Sequence, residues 1–188
     1  TAEAVISFIR GNFFIPDARK NWIKPSLNFL SNYLNNNPID AIISNGPPHS
    51  MHLIALGLKE RFKYPWIADF RDPWTEIDYY NQLKLTSWAH EKHRRLEQKV
   101  LSEATKVVTI SKELASNFNK LGAKDAIVIT NGFDEEDFKQ ETTTHMLSGF
   151  LLHHIGVLNK HRNPVVLWKV LADLCLNNSE FKNDLKIK

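Results

Sequence analysis

Short apolar runs alternate with longer amphipathic stretches along most of this chain, and that rhythm predicts its elements. Ile39-Asp40-Ala41-Ile42-Ile43-Ser44 is the first run, closed by Asn45-Gly46-Pro47-Pro48. Pro65 to Phe70, Lys106 to Ile110 and Ala126 to Thr130 follow as three more. Short apolar runs bounded by Gly, Pro and Asn read as buried strands. Between them, Ser50 to Phe62 carries Leu53, Ile54, Leu56, Leu58 and Phe62 on the face of a helix. Thr86 to Ala104 is polar except for a narrow seam through Trp88 or Ala89, Leu96, Val100 and Leu101. Ser111 caps a third helix, with Glu113 in its first turn and Gly122 at its end. Pro25 to Leu34 is a further helix, stopped by Asn35-Asn36-Asn37-Pro38. Thr1 to Ile9 fits either a helix end or a strand, and Gly11 to Lys24 reads as a loop.

Strands that alternate with helices predict an α/β fold: a Rossmann-like parallel sheet with helices flanking both faces. Handedness of the crossovers leaves few topologies. After Asn131-Gly132-Phe133-Asp134 the composition turns polar, through Glu135-Glu136-Asp137 and Gln140-Glu141-Thr142-Thr143-Thr144. A second α/β unit then opens with Phe150-Leu151-Leu152-His153-His154-Ile155, a turn at Gly156 and a helix begun by Asn163 as N-cap and Pro164. Val165, Leu167, Trp168, Leu171, Leu174 and Cys175 are expected on the buried side of that helix. The expected division is a first domain over residues 1–134, a linker over 135–149 and a second domain from 150 to 188. Residue one is Thr, and Asp184 to Lys188 reads as a strand only beginning, so a fragment of a longer protein is expected, with both domains incomplete.

Composition narrows the function classes. A hydrophobic share of 43% with 24% charged residues is that of a folded globular chain. A net charge of +3, with no basic stripe interleaved with aromatics, argues against nucleic acid as a partner. The lone Cys175 rules out an intramolecular disulfide framework and fits a reducing, cytoplasmic setting. No apolar run reaches the roughly 20 residues of a membrane helix, which leaves attachment to a membrane face open.

The chemistry concentrates where strands meet loops. Trp66-Ile67-Ala68-Asp69-Phe70 runs into Arg71-Asp72-Pro73-Trp74, placing two carboxylates and an arginine beyond the carboxyl end of a strand, where open α/β sheets bind ligands. An Asp-Arg pair that merely ties down a loop is the alternative. Ser44-Asn45-Gly46-Pro47-Pro48-His49-Ser50 joins a strand to a helix N-terminus that suits a phosphate or carboxylate, unless it is a plain tight turn. The carboxylates Asp69 and Asp72 are spaced wrongly for an aspartyl-phosphate hydrolase. His90 and His93, three apart on a polar helix, could form a metal pair but are expected to be solvated, and one of His153 and His154 to be buried. With His161 they complete no zinc set, so no metal is expected. Gly156 to Pro164 combines a glycine turn, basic residues and a helix N-terminus, a diphosphate cradle or a solvated basic loop.

Taken together, Gly46-Pro47-Pro48-His49-Ser50, Trp66 to Trp74, Glu97 to Ala104, Ser111, Thr130 to Asp134, His154 to Leu158 and Arg162-Asn163-Pro164 resemble the glycosyltransferases of family 4, which have the GT-B fold. The chain also resembles the bacterial members that build surface polysaccharides. The resemblance implies two Rossmann-like domains facing each other across a cleft, with a hinge near Asn131-Gly132. It implies a retaining transfer of a sugar from a nucleotide-sugar donor to a saccharide or lipid-linked acceptor, without a metal or other cofactor. Asp72, Arg71 and Asp69 are then the catalytic candidates, and Asp72 the best for handling the hydroxyl proton. Gly46, Pro47, His49, Ser50 and Trp74 belong to the acceptor-side loops, and Gly156 and Arg162 to the donor phosphates. Many relatives carry a histidine where Arg71 and Asp72 stand, and a lysine where Asn163 stands. The family's paired-glutamate motif would lie beyond Lys188, so this chain alone is expected to be inactive. A non-catalytic sugar- or nucleotide-binding module and a GT-B nucleotide-sugar epimerase are the competing readings.

Overall fold

The computed structural model describes residues 2–138, 149–160 and 162–188. His161 and the Gln140 to Thr144 part of the expected linker lie outside them. The chain divides into two compact units, Thr1–Phe133 and Asp134–Lys188.

The first unit holds four parallel strands in the order β1 (Ile42–Gly46), β2 (Trp66–Phe70), β3 (Lys106–Thr109) and β4 (Ala126–Val128). Helices α3 (Ser50–Phe62), α4 (Ser87–Glu103) and α5 (Lys112–Leu121) connect them in turn. The sheet always advances in one direction, so right-handed crossovers bring every connecting helix to the same side. The packing agrees. Ile42, Trp66, Ala68, Phe70, Val107 and Ala126, alternate residues of the strands, join Leu56, Val100, Leu101 and Phe118 in one core. On the opposite face Ile43 is 71% exposed and Ile127 39%. The expectation of helices on both faces is therefore corrected for this unit.

Two further helices precede the sheet, α1 (Ala2–Phe13) and α2 (Ile23–Asn36). The segment left open between helix and strand is thus helical, and the helix runs through Gly11 into what reads as loop. Asn12 explains that extension. It is buried, its amide donates to the carbonyls of Phe8 and Lys84, and its Oδ1 accepts from the amide and hydroxyl of Thr86, the N-cap of α4. A contact 74 residues away closes the helix, which no local pattern announces. Strand β1 also starts later than the apolar run, because its ladder with β2 pairs Ile42 with Trp66 and Gly46 with Phe70. In α4 the seam passes through Ala89, which is buried, and Trp88 faces out.

The second unit pairs β5 (Phe150–Leu152) with β6 (Leu185–Ile187) in parallel, with α6 (Val165–Asn177) and α7 (Ser179–Asp184) between them in sequence. Of the expected buried side of α6, Leu171 is buried and Leu167, Trp168 and Cys175 are half-buried, while Val165 and Leu174 are exposed. Two short strands offer too little surface to cover a 13-residue helix. Both His153 and His154 are exposed, which corrects the expectation that one is buried. Pro164 occupies the N-cap position, and Asn163 instead accepts a hydrogen bond from the Trp168 indole at 2.7 Å. Among the described residues no helix is long and apolar enough to cross a membrane.

Candidate active site

The carboxyl ends of β1 and β2 carry a pocket of about 140 Å³, bordered by Pro47, His49, Trp74, Asp17, Tyr80 and Phe14. Its construction begins in the turn after β1. Gly46-Pro47 and Pro47-Pro48 are cis peptides, and α3 starts at Ser50. The imidazole of His49 lies flat against the Trp74 indole, with ring centroids 4.8 Å apart and planes within 1°. Behind it, Phe70 stacks on His52 at 4.3 Å. Gly46 is required here, since a Cβ would lie 2.4 Å from His52 Nε2 and 3.2 Å from His49 Nδ1.

Asp17 is fixed at the pocket edge by its own chain. Its Oδ2 accepts from the Ser50 amide at 2.7 Å, and its Oδ1 accepts from the Ser50 hydroxyl at 3.1 Å and the Arg19 amide at 2.8 Å. The Ser50 amide, at the helix start that the sequence offers to a phosphate, is thereby capped internally. Burial dominates the titration of the two histidines. It lowers His49 to about 4, partly opposed by the Asp17 charge, and His52 to about 3. Both rings are neutral near pH 7.

The Trp74 wall is held from α4. Its indole donates to His93 Nδ1 at 3.0 Å, and His93 Nε2 donates to the Gly11 carbonyl at 3.3 Å. Glu97, 1% exposed, accepts from the amides of Trp74 and Thr75 and from the Thr75 hydroxyl. Burial raises the Glu97 carboxyl above the usual carboxylate range, opposed by those same hydrogen bonds. His93 is thus a buried strut rather than the solvated residue that its polar helix predicts. It falls on the seam with Ala89, Glu97 and Val100, which is the signal that could have found it.

Of the three residues expected to be catalytic, Asp69 and Arg71 belong to a cluster separate from the pocket lining. Asp69 is buried, and its Oδ2 accepts from Asn45 at 2.8 Å and from Arg71 at 3.0 Å. Arg71 also donates to the Asn131 side chain at 3.0 Å. These four residues form a polar cluster on the face of the sheet opposite the helices. Asp72 is exposed and makes no hydrogen bond or ion pair among the described residues. So Pro47, His49 and Trp74 line one pocket, Gly46 and Ser50 support it from behind, and Asp69 and Arg71 belong to a separate cluster. Sequence reasoning missed Asp17 and Tyr80 in the pocket lining, and His52 and the Glu97 clamp that support its walls. Asp17 and Ser50 are 33 residues apart, and nothing in either neighbourhood announces the pairing.

In the second unit Gly156 sits at φ +140°, in the region that glycine favours, on the same loop as Arg162. The Arg162 amide donates to the Asn159 carbonyl and side chain at 3.1 and 3.0 Å. Among the described residues no three metal-ligating side chains cluster.

Comparison with curated proteins finds no match. Comparison with family models does: Glycosyltransferase Family 4 matches residues 2–137, which spans the whole four-stranded unit, its pocket and the Asp69–Arg71 cluster. The four-stranded parallel α/β sheet is consistent with such a domain, and the chain belongs to glycosyltransferase family 4.

Proposed function

We propose that this protein transfers a sugar from a nucleotide-sugar to an acceptor hydroxyl, with retention at the anomeric carbon, and that the pocket around His49 and Trp74 receives the acceptor. The pocket itself carries this reading. At about 140 Å³ it is smaller than the roughly 300–1,000 Å³ of sites that enclose drug-sized ligands. One sugar ring or the end of a chain suits it better than a whole nucleotide-sugar. Its aromatic walls offer stacking to a ring face, and Asp17 offers an acceptor to a hydroxyl.

In this reading Asp72 takes or orients the proton of the attacking hydroxyl, and the Asp69–Arg71 pair shapes the sugar side of the reaction. Gly156 and Arg162 receive the donor diphosphate, where positive charge stabilises the departing group. No metal or other cofactor takes part. The expected setting is bacterial polysaccharide or glycoconjugate synthesis in the cytoplasm. Peripheral attachment to an anionic membrane, with a lipid-linked acceptor, belongs to the same reading. Support comes from the exposed Phe13, Trp22 and Trp88 beside Arg19, Lys20, Lys24 and Lys92, none of which joins an ion pair among the described residues. Aromatic rings and cations together match a headgroup layer.

The test is release of nucleoside diphosphate by the natural protein across a panel of nucleotide-sugars, with saccharide and polyprenyl-linked acceptors. Release that depends on acceptor is expected. Epimerised donor without acceptor, or binding without release, would overturn the proposal. Asp72→Asn is expected to lower turnover by 10²-fold or more, and unchanged turnover removes Asp72 from the mechanism.

A further inference from the structure

Among the described residues four buried side-chain atoms lack a hydrogen-bond partner, and two of them, His49 Nδ1 and His52 Nε2, lie beside the position that a Cβ on Gly46 would take. A chain of obligatory donors leads to this place. The Trp66 indole, fully buried, can only donate, and it donates to Ser44 Oγ at 2.8 Å. Ser44 Oγ also lies 2.7 Å from His52 Nδ1. If His52 Nδ1 carried the proton, the Ser44 hydroxyl would have no acceptor and His52 Nε2 would be a second unmatched group. If Ser44 donates, one unmatched group remains. Burial makes the first arrangement the costlier. His52 is therefore protonated on Nε2.

That N–H sits beside Gly46, on the side where a Cβ would stand and where His49 Nδ1 also lies. A proton on His49 Nδ1 would set two unsatisfied N–H dipoles against each other. A lone pair there faces the His52 N–H favourably. His49 then carries its proton on Nε2, the ring nitrogen that is not sealed away, and His49 borders the pocket.

We infer that the buried Trp66–Ser44–His52 chain sets the tautomer of His49, so that His49 is a specificity-determining hydrogen-bond donor to an acceptor hydroxyl and not a base. With Asp17 as acceptor on the same pocket, the site reads one hydroxyl in both directions, accepting its proton on one side and donating to its oxygen on the other. The inference rests on the pocket being the acceptor site, and its test separates the two.

Long-range proton–nitrogen NMR of the ¹⁵N-labelled protein at pH 7 reports each imidazole's tautomer without substrate. Both His49 and His52 are expected as Nε2–H forms in the natural protein. In Ser44→Ala, Nδ1–H forms of both rings are expected to grow. A His49 Nδ1–H form in the natural protein, or tautomers unmoved by Ser44→Ala, would overturn the inference. His49→Phe keeps the stack on Trp74 but removes the donor. It is expected to raise the KM for acceptor roughly tenfold with the KM for donor unchanged, while His49→Gln, which keeps an N–H, recovers most of the loss. Tautomers as stated with an acceptor KM indifferent to both variants would refute the specificity role and move the acceptor away from this pocket.

Discussion

Gly46 shows how much a single position can carry. A Cβ there would meet His52 Nε2 at 2.4 Å, and His52 cannot swing aside because Ser44 holds its Nδ1 and Phe70 lies on its face. Gly46→Ala is expected to destabilise the protein by about 1–3 kcal/mol, as overpacking does; urea unfolding measures it. The histidines beside it make a pH prediction. In the folded state His49 titrates at about 4 and His52 at about 3, against 6.5 when unfolded. Between those values the unfolded chain binds protons that the folded chain refuses. Their contribution is therefore complete above pH 6.5 and is lost as pH falls toward 4 and then 3. The loss is about 1.4 kcal/mol per pH unit for each ring. Denaturant midpoints from pH 7 to pH 4 should fall accordingly, and His52→Gln should flatten the slope. A flat profile in the natural protein would contradict it.

Elements differ in how locally they are specified. Helix α5 is written in its own residues: the Ser111 hydroxyl accepts from the Leu114 amide at 3.2 Å, and Gly122 ends the helix at φ +121°. Ser111→Ala is expected to cost about 1 kcal/mol, read from the thermal midpoint, with the pocket untouched. Helix α4 was half legible. Its apolar seam placed Val100 and Leu101 correctly, yet His93 and Glu97 look like surface residues in a polar helix. They are buried because Trp74 and Thr75 present an indole N–H, two amides and a hydroxyl to that seam. The need for those partners arises in a loop some twenty residues away, so periodicity alone could not reveal it. Helix α1 was less legible still, because its last turn depends on Asn12 reaching the cap of α4.

At the scale of the molecule, the sheet of the first unit carries its core on one side. Neighbouring residues test this. Ile42 is 8% exposed and Ile43 71%, so Ile42→Ala is expected to cost about 2–5 kcal/mol and Ile43→Ala to stay within about 0.5 kcal/mol. Equal losses, by equilibrium unfolding, would mean that both faces are packed.

The alternation of strands and helices from β1 to β4 and the loops at the strand ends were determined by the sequence itself. Strand length, helix period and turn residues act over a few positions, and that is the range a sequence displays. Tertiary structure alone decided that the helices share one face, that Asp17 closes the start of α3, and that Asp69 and Arg71 sit apart from His49. Those outcomes depend on which side of a strand a residue faces and on partners tens of residues away. Burial then converts them into fixed protonation states, because an unmatched polar atom away from water is costly enough to choose between tautomers.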